Sequence, residues 1–131
     1  MKKGDLAELI RENKNKETKF TDEQILSWMI EIIYGIHYLH NLKHDCAHDY
    51  KCVHRDIKPG NIFISNTGNI KLGDFSHSRL KDMYDSSTGK FATNVGTNKY
   101  QSPEILNNKS YTFKTDCWYD NTIFKNFKFS K

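Results

Sequence analysis

One stretch of sequence decides the fold: residues 54–75, which read HRDIKPGNIFISNTGNIKLGDF. Two short runs within it, Ile62-Phe63-Ile64 and Ile70-Lys71-Leu72, are rich in residues that favour strands. Between the runs lies Ser65-Asn66-Thr67-Gly68-Asn69, a cluster of turn-forming residues. This pattern predicts a β-hairpin with one tight turn.

The predicted hairpin brings two oxygen-bearing side chains to its open end. If the turn centres on Thr67-Gly68, Asn61 lies opposite Asp74, and their Cβ atoms are about 5 Å apart. A shift of register by one residue changes the faces that the side chains use, but not the end of the hairpin that they occupy. An amide oxygen and a carboxylate at one point are suitable ligands for a hard cation such as Mg²⁺.

Three motifs follow one another in a fixed order. His54 to Asn61 fits the pattern H-R-D-x-x-x-x-N, and Gly73-Asp74-Phe75-Ser76 is close to D-F-G. Ser102-Pro103-Glu104 stands where A-P-E would follow. On these motifs the chain resembles the eukaryotic protein kinases, and most of all the NIMA-related serine/threonine kinases.

The resemblance covers residues 4–118 and implies a fold. We expect a mainly α structure with a small β-hairpin (α+β), equivalent to part of the C-terminal lobe of a kinase. Residues 1–131 would form a single partial kinase domain, with a divergent tail over 119–131. The chain has no G-x-G-x-x-G loop and no V-A-I-K lysine. Its Asn/Lys/Phe-rich ending leaves the family pattern abruptly, which suggests a truncated gene, a frameshift or a retained intron.

The resemblance also implies roles for four side chains. Asp56 would accept or orient the proton of the attacking hydroxyl, and Lys58 would neutralise the transferring phosphoryl group. Asn61 and Asp74 would hold the Mg²⁺ that bridges the phosphates of ATP. The implied reaction transfers the γ-phosphoryl group of ATP to a Ser or Thr hydroxyl of a protein substrate. Taken singly, these residue types are more often turn formers or solvated surface residues.

Two further positions bear on regulation and on the magnesium loop. Thr93 matches the activating phosphosite of the family, and a phosphate there would pair with Arg55. The equally weighted alternative is that Thr93 is one of many loop hydroxyls. Ser76 replaces the Gly of D-F-G, so we expect it to stiffen this loop without abolishing metal ligation.

Helix signals flank the motifs. Asp5 and Glu8 predict a capping box at the start of a short helix, which a polar break over residues 13–19 follows. Thr21 predicts the N-cap of a long helix that extends to about His40.

The long helix carries apolar residues spaced by threes and fours, which predict its buried face. They are Ile25, Leu26, Met29, Ile32, Ile33, Ile36 and Leu39. Trp28 is assigned to another face. Residues 41–51 are predicted as a polar connection and 76–101 as a mobile loop, and a further helix begins within Tyr111–Trp118.

The composition argues against several function classes. The net charge is +4, but the basic residues form no recognised nucleic-acid motif. The most apolar stretch, residues 25–34, is too short to span a bilayer. Three cysteines without a secretory signal predict reduced thiols and a cytoplasmic protein, with the nucleus or cytoskeleton as alternatives.

Two alternative hypotheses about the function of the chain stay open. His44, Cys46, His48 and Cys52 could bind zinc, but they lack paired ligand spacing, so a solvated insertion is favoured. The chain could also be a non-catalytic pseudokinase remnant or binding module, because it lacks the Gly-rich loop and its lysine. Stabilisation by nucleotide would separate the catalytic and non-catalytic readings.

Overall fold

The computed structural model describes residues 4–42, 50–82, 97–107, 109, 112–124 and 127. Its helices are α1 (Leu6–Asn15), α2 (Asp22–His40), α3 (Pro103–Leu106) and α4 (Lys114–Phe124). Its strands are β1 (Tyr50–Val53), β2 (Ile62–Ile64), β3 (Ile70–Leu72) and β4 (Arg79–Asp82). They form two antiparallel pairs, β1 with β4 and β2 with β3. The described residues are therefore α+β with more helix than strand, which agrees with the predicted class.

Both predicted helix starts are confirmed. The Asp5 side chain accepts a hydrogen bond from the Glu8 N–H at 2.8 Å, and Glu8 accepts one from the Asp5 N–H at 3.4 Å. Thr21 Oγ1 accepts from the Gln24 N–H at 3.2 Å. These caps satisfy backbone donors that a helix leaves unpaired in its first turn. Helix α1 continues to Asn15, so it includes the first three residues of the stretch predicted as a break.

The buried face of α2 differs from the prediction. Trp28, assigned to another face, is only 4% exposed, whereas Leu26 and Ile33, assigned to the core, are half-exposed. Trp28 lies three residues after Ile25 and four before Ile32, so it shares their face. Leu26 and Ile33 each follow a buried isoleucine by one residue, which turns them about 100° away from the core.

The hairpin is confirmed, but its predicted register is wrong by one residue. Ile62 pairs with Leu72, so Asn61 lies opposite Gly73, whose N–H donates to the Asn61 carbonyl at 3.0 Å. The cause is a three-residue turn with Gly68 at φ +89°, a left-handed conformation that glycine adopts without strain. Asp74 comes next in the chain, so both ligand candidates still leave the hairpin at its open end.

The second strand pair was not predicted. β1 and β4 pair in the register Cys52 with Leu80 and Val53 with Arg79. Residues 50–51 were predicted as part of a polar connection, and residues 79–82 as part of a mobile loop. Both predictions are wrong there, because pairing between strands far apart in sequence depends on tertiary context more than on local propensity. Residues 83–96 of that loop lie outside the described residues.

Helix α2 holds the hairpin in place. Trp28 Nε1 donates to the carbonyl of Gly68 at 3.3 Å, and Glu31 Oε2 accepts from the Ile70 N–H at 2.6 Å. The main core cluster joins α1, α2, the hairpin and the last helix. Its buried members are Leu6, Ile25, Trp28, Ile32, Ile36, Ile57, Ile62, Ile64, Ile123 and Phe127. The helix predicted to begin within Tyr111–Trp118 is α4, which starts at Lys114.

A pair of neighbouring substitutions tests the face that α2 buries. Ile32 is fully buried and Ile33 is 50% exposed. We expect Ile32→Ala to lower the free energy of unfolding by about 2–5 kcal/mol, because it removes packed methyl groups and leaves a cavity. The matched control Ile33→Ala should cost less than about 1 kcal/mol. Urea unfolding followed by circular dichroism measures both, and equal losses would contradict the observed orientation of α2.

Candidate active site

Asp56 lies at the centre of the site and is 1% exposed. Its Oδ1 accepts hydrogen bonds from the backbone N–H and the hydroxyl of Thr97, each at 2.9 Å. Its Oδ2 accepts from Lys58 Nζ at 2.8 Å and from Asn61 Nδ2 at 3.0 Å. These four donors match the four acceptor positions of a carboxylate, so the side chain is held in one orientation.

The surroundings of Asp56 set its charge. Burial by itself raises the pKa of the carboxyl, but hydrogen bonds from Lys58 and Thr97, with the Lys58 charge, outweigh burial and lower the pKa below 3.8. Asp56 is therefore ionised at neutral pH. A carboxylate of lowered pKa takes up a proton less readily than an ordinary one, so it is better suited to orienting a hydroxyl than to removing its proton early.

Lys58 connects Asp56 to Thr97, the first residue of the next described segment. Its Nζ donates to Asp56 Oδ2 and to Thr97 Oγ1, each at 2.8 Å. These bonds use two of the three ammonium protons. The side chain is 27% exposed, so the ammonium lies at the edge of the site, where it can meet an anion from solvent.

Asn61 and Asp74 lie where the hairpin opens. The Asn61 amide nitrogen donates to the carbonyl of Asp56 at 2.8 Å and to its carboxylate, which leaves the amide oxygen as the atom that can face a cation. Asp74 is exposed and has left-handed backbone angles (φ +58°). Its Oδ1 accepts from the Ser76 hydroxyl at 2.7 Å and from the Ser76 N–H at 3.4 Å. These bonds lower the pKa of Asp74 below 3.8.

The oxygen atoms of Asn61 and Asp74 fit magnesium in type and in number. Mg²⁺ takes oxygen ligands and is commonly held by one or two protein side chains, with water and substrate phosphates completing the octahedron. Across the described ranges, no group of three or more His, Cys, Asp or Glu side chains forms an all-protein metal cage. The described residues therefore offer a cation these two side chains, and water or phosphates would complete its coordination.

Asp116 of α4 supports the backbone that leads into Asp56. It is fully buried, and its two carboxylate oxygens accept the backbone N–H groups of His54 and Arg55, each at 3.0 Å. Its Oδ2 also lies 2.8 Å from His40 Nε2. Arg55 has φ +69°, which is unfavourable for a side chain of its size. The two bonds to Asp116 stabilise this strained residue and so aim the next one, Asp56, into the site.

Comparison with known proteins decides the family. The family model described as the protein kinase domain matches residues 1–124. This chain belongs to the protein kinase family.

Among characterised kinases, the chain is 43% identical over 116 residues to the human serine/threonine-protein kinase Nek5. It is 36% identical over 126 residues to the G2-specific protein kinase fin1 of Schizosaccharomyces pombe, and 41% identical over 115 residues to the mouse serine/threonine-protein kinase Nek1. Each match covers 88% of this chain. The chain spans 14%, 17% and 8% of these three relatives, respectively. The resemblance to NIMA-related kinases is thus confirmed.

Two residues that hold the candidate site through hydrogen bonds were not predicted as site residues. Thr97 supplies two of the four donors to Asp56, and Asp116 supports the loop before it. The sequence carries one signal for Asp116, because Thr115-Asp116-Cys117-Trp118 resembles the S-D-V-W pattern of protein kinases. That pattern does not reveal which groups donate to a buried carboxylate, since its donors come from elsewhere in the fold.

Several predictions stay untested. The Arg55 guanidinium donates through Nε to the carbonyl of His77, but Thr93, the predicted phosphosite, lies outside the described residues. His44, Cys46 and His48 of the zinc alternative also lie outside them. In the described part of the chain, no helix is long and apolar enough to cross a membrane.

His54 makes a pH-dependent contribution to the stability of the folded chain. The residue is fully buried, and its Nε2 lies 3.0 Å from the carbonyl of Gly73. Burial lowers the pKa of His54 below 6.5, despite the opposing effect of Asp116 and other neighbouring groups. The unfolded chain therefore binds more protons than the folded chain between the folded pKa and 6.5. Stability from this group is complete above 6.5 and falls as the pH drops toward the folded pKa.

We expect the free energy of unfolding to decrease as the pH is lowered below 6.5, with His54 contributing at most about 1.4 kcal/mol per pH unit. Denaturant unfolding at a series of pH values measures the slope. His54→Gln is the control, because an amide can still donate to the Gly73 carbonyl but does not titrate. The other histidines are shared by both proteins, so identical slopes would show that His54 is not the responsible group.

Proposed function

We propose that this chain is the catalytic-loop segment of a serine/threonine protein kinase that transfers the γ-phosphoryl group of ATP to a Ser or Thr hydroxyl of a protein. The supporting observation is the bonding of Asp56, whose carboxylate is buried, ionised and fixed by Lys58, Asn61 and Thr97. Residues 1–131 would form a partial kinase domain. Such an enzyme works where ATP is supplied, so we place it in the cytoplasm, with the nucleus and the cytoskeleton as alternatives.

In the proposed reaction, the Asp56 carboxylate accepts a hydrogen bond from the hydroxyl of the substrate. The Thr97 hydroxyl, which donates to Asp56 Oδ1 at 2.9 Å, shows that the carboxylate can accept a hydroxyl donor in this position. A substrate hydroxyl would exchange for one of the present donors. Orientation by Asp56 then directs an oxygen lone pair at the γ-phosphorus. The new P–O bond forms as the bond to the bridging oxygen of ATP breaks and ADP leaves, and the hydroxyl proton passes to the carboxylate.

The other side chains manage negative charge. The exposed edge of the Lys58 ammonium would contact the transferring phosphoryl group, whose charge spreads over its oxygens during transfer. Asn61 and Asp74 would hold magnesium through the amide oxygen and the carboxylate. When bound, that ion would neutralise phosphate charge and polarise the bond to the leaving group. The protein supplies mainly position and electrostatic stabilisation, as expected for phosphoryl transfer.

A phosphoryl-transfer assay tests the proposal. The complete protein is incubated with γ-labelled ATP, Mg²⁺ and a panel of protein substrates, and the labelled amino acids are identified after hydrolysis. We expect label on serine or threonine and none without Mg²⁺. Label on tyrosine alone would contradict the proposed substrate class. Absence of transfer by a folded protein that binds ATP and Mg²⁺ would favour a non-catalytic role.

A further inference from the structure

Ser76 forms a bond that a glycine at this position could not form. Its hydroxyl lies 2.7 Å from Asp74 Oδ1, and its backbone N–H lies 3.4 Å from the same oxygen. Only the second contact, through the backbone N–H, could form with any other residue type except proline. The position was expected to matter through backbone stiffness. The structure instead shows a direct side-chain contact to a proposed metal ligand.

The Ser76 hydroxyl donates its hydrogen bond to the Asp74 carboxylate. The same oxygen also lies 3.2 Å from His77 Nδ1, but a hydroxyl has one proton to donate. Asp74 is the nearer acceptor by 0.5 Å and is charged, so it takes the stronger bond. His77 Nδ1 can then act as a donor to the hydroxyl oxygen, which would fix the hydroxyl in the orientation that serves Asp74.

This bond makes the two carboxylate oxygens of Asp74 unequal. Oδ1 is engaged by both donors of Ser76, whereas Oδ2 accepts no hydrogen bond from the residues that the structure describes. A cation that binds Asp74 must either use Oδ2 alone or displace the hydroxyl from Oδ1. Either route is less favourable than binding to a carboxylate with two open oxygens.

We propose that Ser76 is a positioning residue that restrains Asp74 and weakens the binding of a divalent cation. To use both carboxylate oxygens, the cation must displace the Ser76 hydroxyl from Oδ1, and we call this hydrogen bond the latch. This inference rests on the proposed function, which makes Asp74 a magnesium ligand. The Ser76 hydroxyl thus sets how much free cation is needed to fill the site.

Binding of Mn²⁺ alone, measured by the loss of its free paramagnetic resonance signal, tests the latch without any activity readout. The 131-residue chain is compared with Ser76→Ala, which removes the hydroxyl, and Ser76→Thr, which keeps it. Asp74→Asn defines the part of the binding that depends on Asp74. We expect Ser76→Ala to bind Mn²⁺ about threefold to tenfold more tightly, as for loss of one exposed hydrogen bond to a charged group. Ser76→Thr should bind as the unmodified chain does.

The outcomes separate the latch from the metal site. If Asp74→Asn abolishes binding but Ser76→Ala leaves it unchanged or weaker, the metal site stands and the latch is wrong. If Asp74→Asn binds Mn²⁺ as the unmodified chain does, Asp74 is not a ligand, and both the latch and that part of the proposed function fail.

Discussion

Replacement of Asp56 by asparagine is expected to lower kcat for phosphoryl transfer by about 10²- to 10⁴-fold, the usual contribution of a positioned acid or base. Asparagine has the same shape but carries no charge and can accept at only one end. Its amide oxygen would accept from Lys58 and Asn61, which donate to Oδ2 of Asp56 in the structure, so its NH₂ group would lie on the side where a hydroxyl now donates. The substrate hydroxyl would lose both its acceptor and its orientation.

The assay uses the complete protein at saturating ATP and Mg²⁺, and it compares kcat with the KM for ATP. Because Asp56 is not a proposed nucleotide ligand, the KM should change little while kcat falls. Asp5→Asn is the matched control. The Asp5 side chain caps α1 through Glu8 and takes no part in the hydrogen bonds of Asp56, and asparagine is an equally good N-cap, so activity should be retained. A folded Asp56→Asn protein with nearly unchanged kcat would remove Asp56 from the mechanism.

Replacement of Asp116 by alanine is expected to lower the free energy of unfolding by about 3–5 kcal/mol. The change leaves the buried N–H groups of His54 and Arg55 without their acceptor and removes the partner of His40. Arg55 would also keep its unfavourable positive φ without the bonds that support it. No other predicted substitution breaks so many buried contacts at once.

Denaturant unfolding measures this loss, and Asp116→Asn serves as the comparison. Asparagine keeps the volume and one acceptor oxygen, so it can satisfy one N–H group but presents an NH₂ group to the other. We therefore expect an intermediate loss of stability. A loss below about 1 kcal/mol for Asp116→Ala would mean that water satisfies both N–H groups, and that Asp116 does not hold the loop.

The parts of the fold that depend on local signals were predictable. Capping by Asp5 and Thr21 involves residues three positions apart, so the sequence alone specifies it. The hairpin was predictable because its turn residues lie between two strand-forming runs. Its register was not, because it depended on whether Gly68 takes a left-handed conformation within a longer turn.

The support of the site depends on contacts that no local pattern encodes. Asp116 lies 62 positions after His54, and Thr97 lies 41 positions after Asp56. Neither distance has a periodic signal, and each contact forms only when the chain is folded. The same holds for the β1 and β4 pairing, where Arg79 and Lys81 gave no apolar alternation to indicate a strand. Motif resemblance pointed to the proposed reacting residues, whereas the residues that hold them required the structure.

One measurement tests the central claim most directly: a crystal structure of the complete protein with Mn²⁺ and a non-hydrolysable ATP analogue, with the metal located by anomalous scattering. We expect the ion to be bound by the Asn61 amide oxygen and the Asp74 carboxylate, with Lys58 and Asp56 beside the terminal phosphate. A metal bound elsewhere, or a nucleotide that does not approach these residues, would contradict the assignment of this segment as a phosphoryl-transfer site.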